Sequence, residues 1–304
     1  QIATDTWKAI PYANALQGED GATNPTYSMQ QDIYPDLLRM LKDAGDMFAQ
    51  GNGDALGSGD ILFNGDVMKW RKFCNSLRLR VAIRISKVDP ATAQTHIEQI
   101  MGDQGTYPIM ASNDDNALVF WPGAAPYKEP FYENSETRDD HGMCNVLLDK
   151  LVDLGDPRLP VYAHPAPSDG EYRGLDPGAE DGFNPSDISR IGARFRDDPF
   201  GFTPFMRYAE VMFIASEAAA NGWNVGVTAQ AAYEAGVTAS LEENGIGADD
   251  IATYLANADV AWDGSMEKLY IQKWIALFKN GHEAWAEVRR NDVPVIDEAP
   301  GSPY

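Results

Sequence analysis

The chain has 304 residues, enough to bury roughly 75% of its unfolded surface in a substantial core. With 46 Asp+Glu against 24 Lys+Arg its net charge is −22, which argues against nucleic acid and anionic membranes as partners and for a solvated acidic surface. Two cysteines are too few for a disulfide framework, and no apolar run approaches the roughly 18 residues of a membrane span.

Residues 4–16 read as a helix end and a loop closed by Pro11, with Trp7 and Tyr12 in the core; a polar, Gly/Asn-rich loop follows over 17–28. Asp32 is the expected cap of a helix carrying Ile33, Leu37, Leu38, Leu41, Ala44, Met47 and Phe48 on one face. The glycine-rich stretch 50–65 reads as a flexible connection. Asn52, Asp54, Ser58 and Asp60 offer oxygens to a structural calcium, but their spacing does not match an EF-hand loop. No cofactor is expected. Asp66 opens a helix over 67–86 with Val67, Trp70, Cys74, Leu77, Val81 and Ile85 as its buried stripe, so Cys74 is read as a small hydrophobe. Its six cations, from Lys69 to Arg84, are expected to pair with neighbouring acids. Asp89-Pro90 supplies a cap and first position for a helix over 90–101.

Residues 102–202 read differently. Pro and Gly are frequent, aromatics stand among polar residues, and only 143–154, stopped by Gly155, shows helical spacing. A stretch this long and irregular points to a functional surface. Regular helix resumes over 205–221, ending at Asn221-Gly222, and over 227–244, ending at Asn244-Gly245. Their small residues allow close approach. Trp223, beyond the first stop, is assigned to packing. Near the end, Met266, Leu269, Tyr270, Trp274, Leu277 and Phe278 recur at helical spacing; Asn280-Gly281 breaks the run where a left-handed residue is needed, and Ala284, Trp285 and Val288 continue it.

Catalysis finds no support in these residues. Adjacent acids such as Asp114-Asp115 arise by chance among 46, the four histidines are scattered, and Cys144 in H-G-M-C lacks zinc partners. Nucleophile elbow, P-loop and dinucleotide motifs are absent. Binding is better supported. Tyr127, Phe131, Tyr132, Arg138 and Asp139, and again Tyr162, Tyr172 and Arg173, mix flat apolar faces with groups that satisfy hydroxyls. The alternative, that these aromatics pin long loops to a scaffold, is open for the group and favoured for Phe120 and Trp121.

Four strings in order, GDVMKWRKFCNSLRLRVAIRIS (65–86), DPRLPVY (156–162), RYAEVMFIASEAAANGW (207–223) and QKWIALFKNGHEAWAEVRRNDVP (272–294), resemble the SusD/RagB family of nutrient-binding outer-membrane lipoproteins. The resemblance runs from about Thr4 to Pro294. It implies an all-α fold: a tetratricopeptide-like scaffold of helix pairs (1–101 and 203–292) carrying a loop-rich, ligand-facing region (102–202) in one SusD-like domain. It also implies a non-catalytic receptor on a Bacteroidota-type outer membrane, handing an oligosaccharide to a SusC-like TonB-dependent transporter. Members begin with a signal, a lipid-modified cysteine and further helix, so this chain reads as starting inside the pattern. A peptide receptor on the same scaffold, an all-helical glycoside hydrolase and a purely structural surface protein are the alternatives.

Overall fold

The structure, a computed structural model, describes residues 1–21, 23–51, 57–138, 141–178 and 184–296; the side chains of residues 20 and 58 are outside that description. Thirteen α-helices and three two-stranded sheets are described. No described helix is long and apolar enough to cross a membrane.

The scaffold begins with α1 (Ile2–Trp7), β1 (Ile10–Pro11) and β2 (Tyr27–Ser28), then α2 (Gln30–Gln50), α3 (Val67–Arg84) and α4 (Pro90–Gly102). Two caps follow the sequence reading: Asp66 accepts the Lys69 N–H at 3.0 Å, and Asp89 accepts that of Thr92 at 3.1 Å. Asp32 is not a cap. It sits inside the first turn of α2, where its charge suits the helix dipole, and Met29 holds the cap position without a side-chain bond. Trp7 is 70% exposed rather than in the core, and Tyr12 donates to Asp36.

Helix α3 packs against α2, α4 and α9 (Tyr208–Ala220), which is why residues all round it are buried. Burial forces its cations to find partners. Arg80 makes a two-pronged bond to Glu210 at 2.5 Å, Arg84 reaches Glu283, and Lys72 reaches Asp115 at 2.8 Å. Three depart from the expected pairing with acids: Lys69 donates to the Asp114 carbonyl and Arg71 to the Thr106 carbonyl, and Arg78 is the buried case. It donates to His96 Nδ1 at 2.9 Å and to Gln99. Burial, and then the Arg78 charge, lower the His96 pKa to about 4, so the ring is a neutral acceptor.

Asn52 and Asp54 of the glycine-rich stretch lie outside the described residues. Asp60 takes the N–H groups of Leu62, Phe63 and Gly65 and the Trp70 indole. Burial pushes its pKa up, but these donors outweigh that and hold it at about 2.

The loop-rich region holds more order than its periodicity suggests. β3 (Ala117–Phe120) pairs antiparallel with β6 (Phe202–Met206), so the two ends of the region are joined by their own ladder. Between them lie α5 (Pro130–Ser135), α6 (Asn145–Asp153), α7 (Leu159–Tyr162), β4 (Ala163–His164) paired with β5 (Arg190–Ile191), and α8 (Ala193–Arg196). Residues 202–206 are therefore strand, and α9 starts only at Tyr208. Then α10 (Ala229–Glu243) packs on α9, with Gly236 so close to Phe213 that a Cβ would come 3.0 Å from its ring. The chain ends in α11 (Ala248–Leu255), α12 (Met266–Ala276) and α13 (Gly281–Asn291). The left-handed residue between the last two is Lys279, with φ 70°, rather than Asn280 or Gly281.

Two buried polar clusters tie these helices together. Arg80, Arg84, Lys273 and Arg290 meet Glu210, Glu217, Glu283 and Glu287, with every side chain at most 8% exposed. In the DPRLPVY segment, Arg158 grips Asp156 and donates to Ser240 Oγ at 2.9 Å and Gln272 Oε1 at 2.8 Å, while Tyr254 donates to Asp156. That motif locks α7 to α10, α11 and α12.

Candidate ligand-binding face

The candidate face is built from the tip of the β3–β6 pair. Beyond β3 the Trp121 N–H donates to the Gly201 carbonyl at 2.9 Å, and the Glu129 N–H to Pro199 at 3.0 Å. Residues 121–129 and 199–201 are thus zipped into one lobe. At its end the Gly123 N–H donates to the Tyr127 carbonyl at 3.1 Å and the Tyr127 N–H to the Ala124 carbonyl at 2.7 Å, closing a turn. Gly123 lies under the Phe200 ring: a Cβ there would approach it to 2.4 Å, and its φ of 77° also favours glycine.

Helix α5 leaves this lobe under the control of one carboxylate. Glu129, 1% exposed, caps α5 by accepting the Tyr132 N–H at 2.9 Å and pairs with Lys279 Nζ at 2.9 Å. Lys279 reaches in from the break between α12 and α13, its ammonium 4.9 Å from the Phe202 ring centre, 5.4 Å from Phe131 and 5.9 Å from Phe195. Burial lowers the Lys279 pKa and Glu129 offsets part of that. The ring-bearing lobe is therefore anchored to the scaffold through an ion pair at its base.

Of the sequence-derived candidates, Tyr127 is 62% exposed and Phe131 36% exposed, and Tyr132 stands beside Lys128 Nζ, 5.5 Å from its ring centre. Phe131 and Arg138 line one small cavity with Asn134, Ser135, His141, Ile191 and Arg196. Tyr172 and Arg173 do not line it. Tyr172 is half-buried against Met143, Leu148 and Ala163, and Arg173 bonds Asp169 at 2.5 Å and the Asp187 carbonyl at 3.1 Å. Asp139 lies outside the described residues. Tyr162, a ligand contact on the sequence reading, is instead a core residue: it is 1% exposed, stacked on Phe278 at 4.4 Å, and its hydroxyl donates to the Ile275 carbonyl.

Two exposed rings were not expected here. Phe120, assigned to packing by its apolar neighbours, is 63% exposed above Phe202, and Phe200 is 59% exposed. Phe200 stands in D-D-P-F-G, the same setting of an aromatic among turn residues that marked Tyr127. Among the described residues no group of three or more His, Cys, Asp or Glu could hold a metal ion.

Residues 1–303 match the SusD-like family described as "Starch-binding associating with outer membrane". The chain belongs to that family. Solved structures similar to this SusD-like chain include a chitin-binding SusD homologue from Flavobacterium johnsoniae, 28% identical with a TM-score of 0.86, covering 98% of this chain and 67% of that one. A SusD homologue from Bacteroides fragilis is 26% identical with a TM-score of 0.83 over 96% of this chain and 69% of its own. One from Bacteroides vulgatus is 27% identical with a TM-score of 0.83, over 98% and 66%. No curated protein sequence matches significantly. The all-α SusD-like scaffold expected from the four motifs is thus the observed one.

Proposed function

We propose that this SusD-like chain is a non-catalytic nutrient receptor, tethered by lipid at the outer face of an outer membrane. It binds an oligosaccharide and passes it to a SusC-like TonB-dependent transporter. The observation that carries this reading is the set of exposed rings, Phe120, Tyr127, Phe131 and Phe200, on a lobe zipped at its neck and anchored through Glu129 and Lys279. Fixed aromatic faces bind the apolar faces of sugar rings at little entropic cost, and Asn134 and Arg138 beside Phe131 suit hydroxyls. Each platform is worth about 1 kcal/mol beyond its area, which places affinity in the micromolar-to-millimolar range. The family's description and the chitin-binding relative support a saccharide as the ligand.

Calorimetry against soluble starch, chitin oligosaccharides and peptides of matched length tests this. Saturable saccharide binding that falls about tenfold or more in Tyr127→Ala and Phe200→Ala is the expected result. Binding of peptide alone would replace the ligand class, and saccharide cleavage during the titration would overturn the receptor role. Co-purification of a TonB-dependent transporter with the lipid-anchored protein tests the delivery step.

A further inference from the structure

On the scaffold, away from the lobe, a cleft of about 290 Å³ opens between the end of α3, the start of α4, the end of α9 and the middle of α12. Its volume is near the lower end of small-molecule sites, roughly 300–1,000 Å³. Trp223 and Tyr270 give it two aromatic walls, Ser86 and Glu217 its floor, and Lys87 and Asn221 its rim.

The cleft is preformed. Glu217, 1% exposed, is gripped by Arg290 at 2.5 and 2.6 Å. Lys87 Nζ lies over the Tyr270 ring at 5.8 Å from its centre and the Arg290 guanidinium at 5.7 Å. Trp223 is partly buried against the main core and its N–H is tied to the Ala218 carbonyl at 3.0 Å. Packing explains one side of Trp223; the other side lines the cleft.

The charges are already matched, which selects the ligand. Arg290 neutralises Glu217, leaving no demand for a cation, and Lys87 donates to the Arg290 carbonyl at 2.8 Å in a chain of net charge −22, a poor setting for an anion. The remaining functionality is neutral: the Trp223 ring, the Ser86 hydroxyl, which accepts from Arg290 Nη1 at 3.3 Å and keeps its own proton to donate, and the exposed Asn221 amide. We infer that this cleft is a second binding site, for a single neutral pyranose ring, independent of the aromatic lobe. Such a ring offers an apolar face to Trp223 and hydroxyls to Ser86 and Asn221.

The test uses the full chain labelled with 5-fluorotryptophan, which gives seven resonances, that of Trp223 being assigned from Trp223→Phe. D-Glucose and N-acetyl-D-glucosamine are titrated separately, with glycerol as control. The Trp223 resonance is expected to move saturably with a midpoint on the order of 1–10 mM, while those of Trp70 and Trp262 stay still. Asn221→Ala is expected to weaken this by about tenfold, and Phe200→Ala to leave it unchanged. Absence of saturation with both sugars, equal movement of all resonances, or indifference to Asn221→Ala would each overturn the site. Trp121 reports the lobe in the same spectra. A response there without one at Trp223 removes only this inference; a response at Trp223 without one there upholds the site as independent of the lobe.

Discussion

In the scaffold, Arg80, Arg84, Lys273 and Arg290 face Glu210, Glu217, Glu283 and Glu287 with almost no exposure; the region between β3 and β6 buries Arg158 where it meets the scaffold helices, but its Arg138 and Arg173 stand at the surface. Aromatic residues divide the same way. Phe213 and Tyr233 are closed inside helix packing; Phe120, Tyr127 and Phe200 project from the β3–β6 tip. The difference teaches what each region is built to resist. Buried ions demand partners from distant segments, so they fix which helices meet and in what register. Exposed rings demand nothing of the fold and remain available to a ligand.

The sharpest way to break this comparison is at Glu287, which meets Lys273 at 2.9 Å, Arg290 at 2.8 Å and Arg84 at 3.4 Å. Glu287→Gln leaves three buried cations short of one charge, and a loss of about 3–5 kcal/mol in urea unfolding is expected. Burial raises the Glu287 pKa, but Arg290, Lys273 and Arg84 outweigh it and hold the carboxyl well below the usual range. A depressed acid stabilises above its unfolded pKa of about 4.3, and that stability is lost as pH falls toward the folded value. A loss under about 1 kcal/mol would show that the cluster merely decorates the packing.

Lys279 sits where the two regions join, so its removal separates them. Lys279→Met keeps a long side chain among the three rings but leaves Glu129 buried without its counter-charge, a cost of about 2–3 kcal/mol. The expected outcome is local: amide exchange over 121–138 rises at least about tenfold, with α9 and α10 unchanged. Adding Glu129→Gln should restore protection. Uniform loss across the chain would show that the ion pair belongs to the global core.

What could be read from the sequence follows the same division. Caps at Asp66 and Asp89 and the 3.6-residue stripes were legible because helices are closed by neighbours in the chain. Met206 was misplaced on a helix because its strand bonds come from Ala117, 89 positions away (206 − 117), and no local spacing carries that. Tyr162 resembled a loop aromatic. Its burial comes from α12 and the residues just beyond it, which bring Ile275 and Phe278 onto it. At the candidate face, Tyr127 and Phe131 were legible as rings among turn residues, whereas the exposure of Phe200 depends on the missing Cβ of Gly123 across the lobe. The Lys279–Glu129 anchor left no sequence signal, since neither residue has a periodic partner.

A smaller effect sharpens the scaffold side through pH. The folded His96 pKa, about 4, lies below its unfolded value of about 6.5. The unfolded state therefore binds the extra proton first, so stability is full above pH ~6.5 and declines as pH falls toward 4. Allowing for its partial exposure, the decline attributable to His96 between pH 7 and 4.5 is about 1–2 kcal/mol. His96→Gln keeps an acceptor for Arg78 and should remove that share of the slope. An unchanged slope would mean that carboxylates elsewhere account for it.

The smallest stability effect is expected on the lobe, and there smallness is the informative result. Phe200→Ala and Tyr127→Ala remove rings that are about 60% exposed, so unfolding midpoints should shift by less than about 0.5–1 kcal/mol. Phe200 is the stricter case, because its ring covers Gly123 and a structural role would show itself there. If Phe200→Ala costs as much as a core truncation, about 3 kcal/mol or more, the ring is a plug for the Gly123 turn. A near-neutral midpoint combined with lost saccharide binding means that the lobe carries these rings for a ligand, held in place by the Lys279–Glu129 pair beneath them.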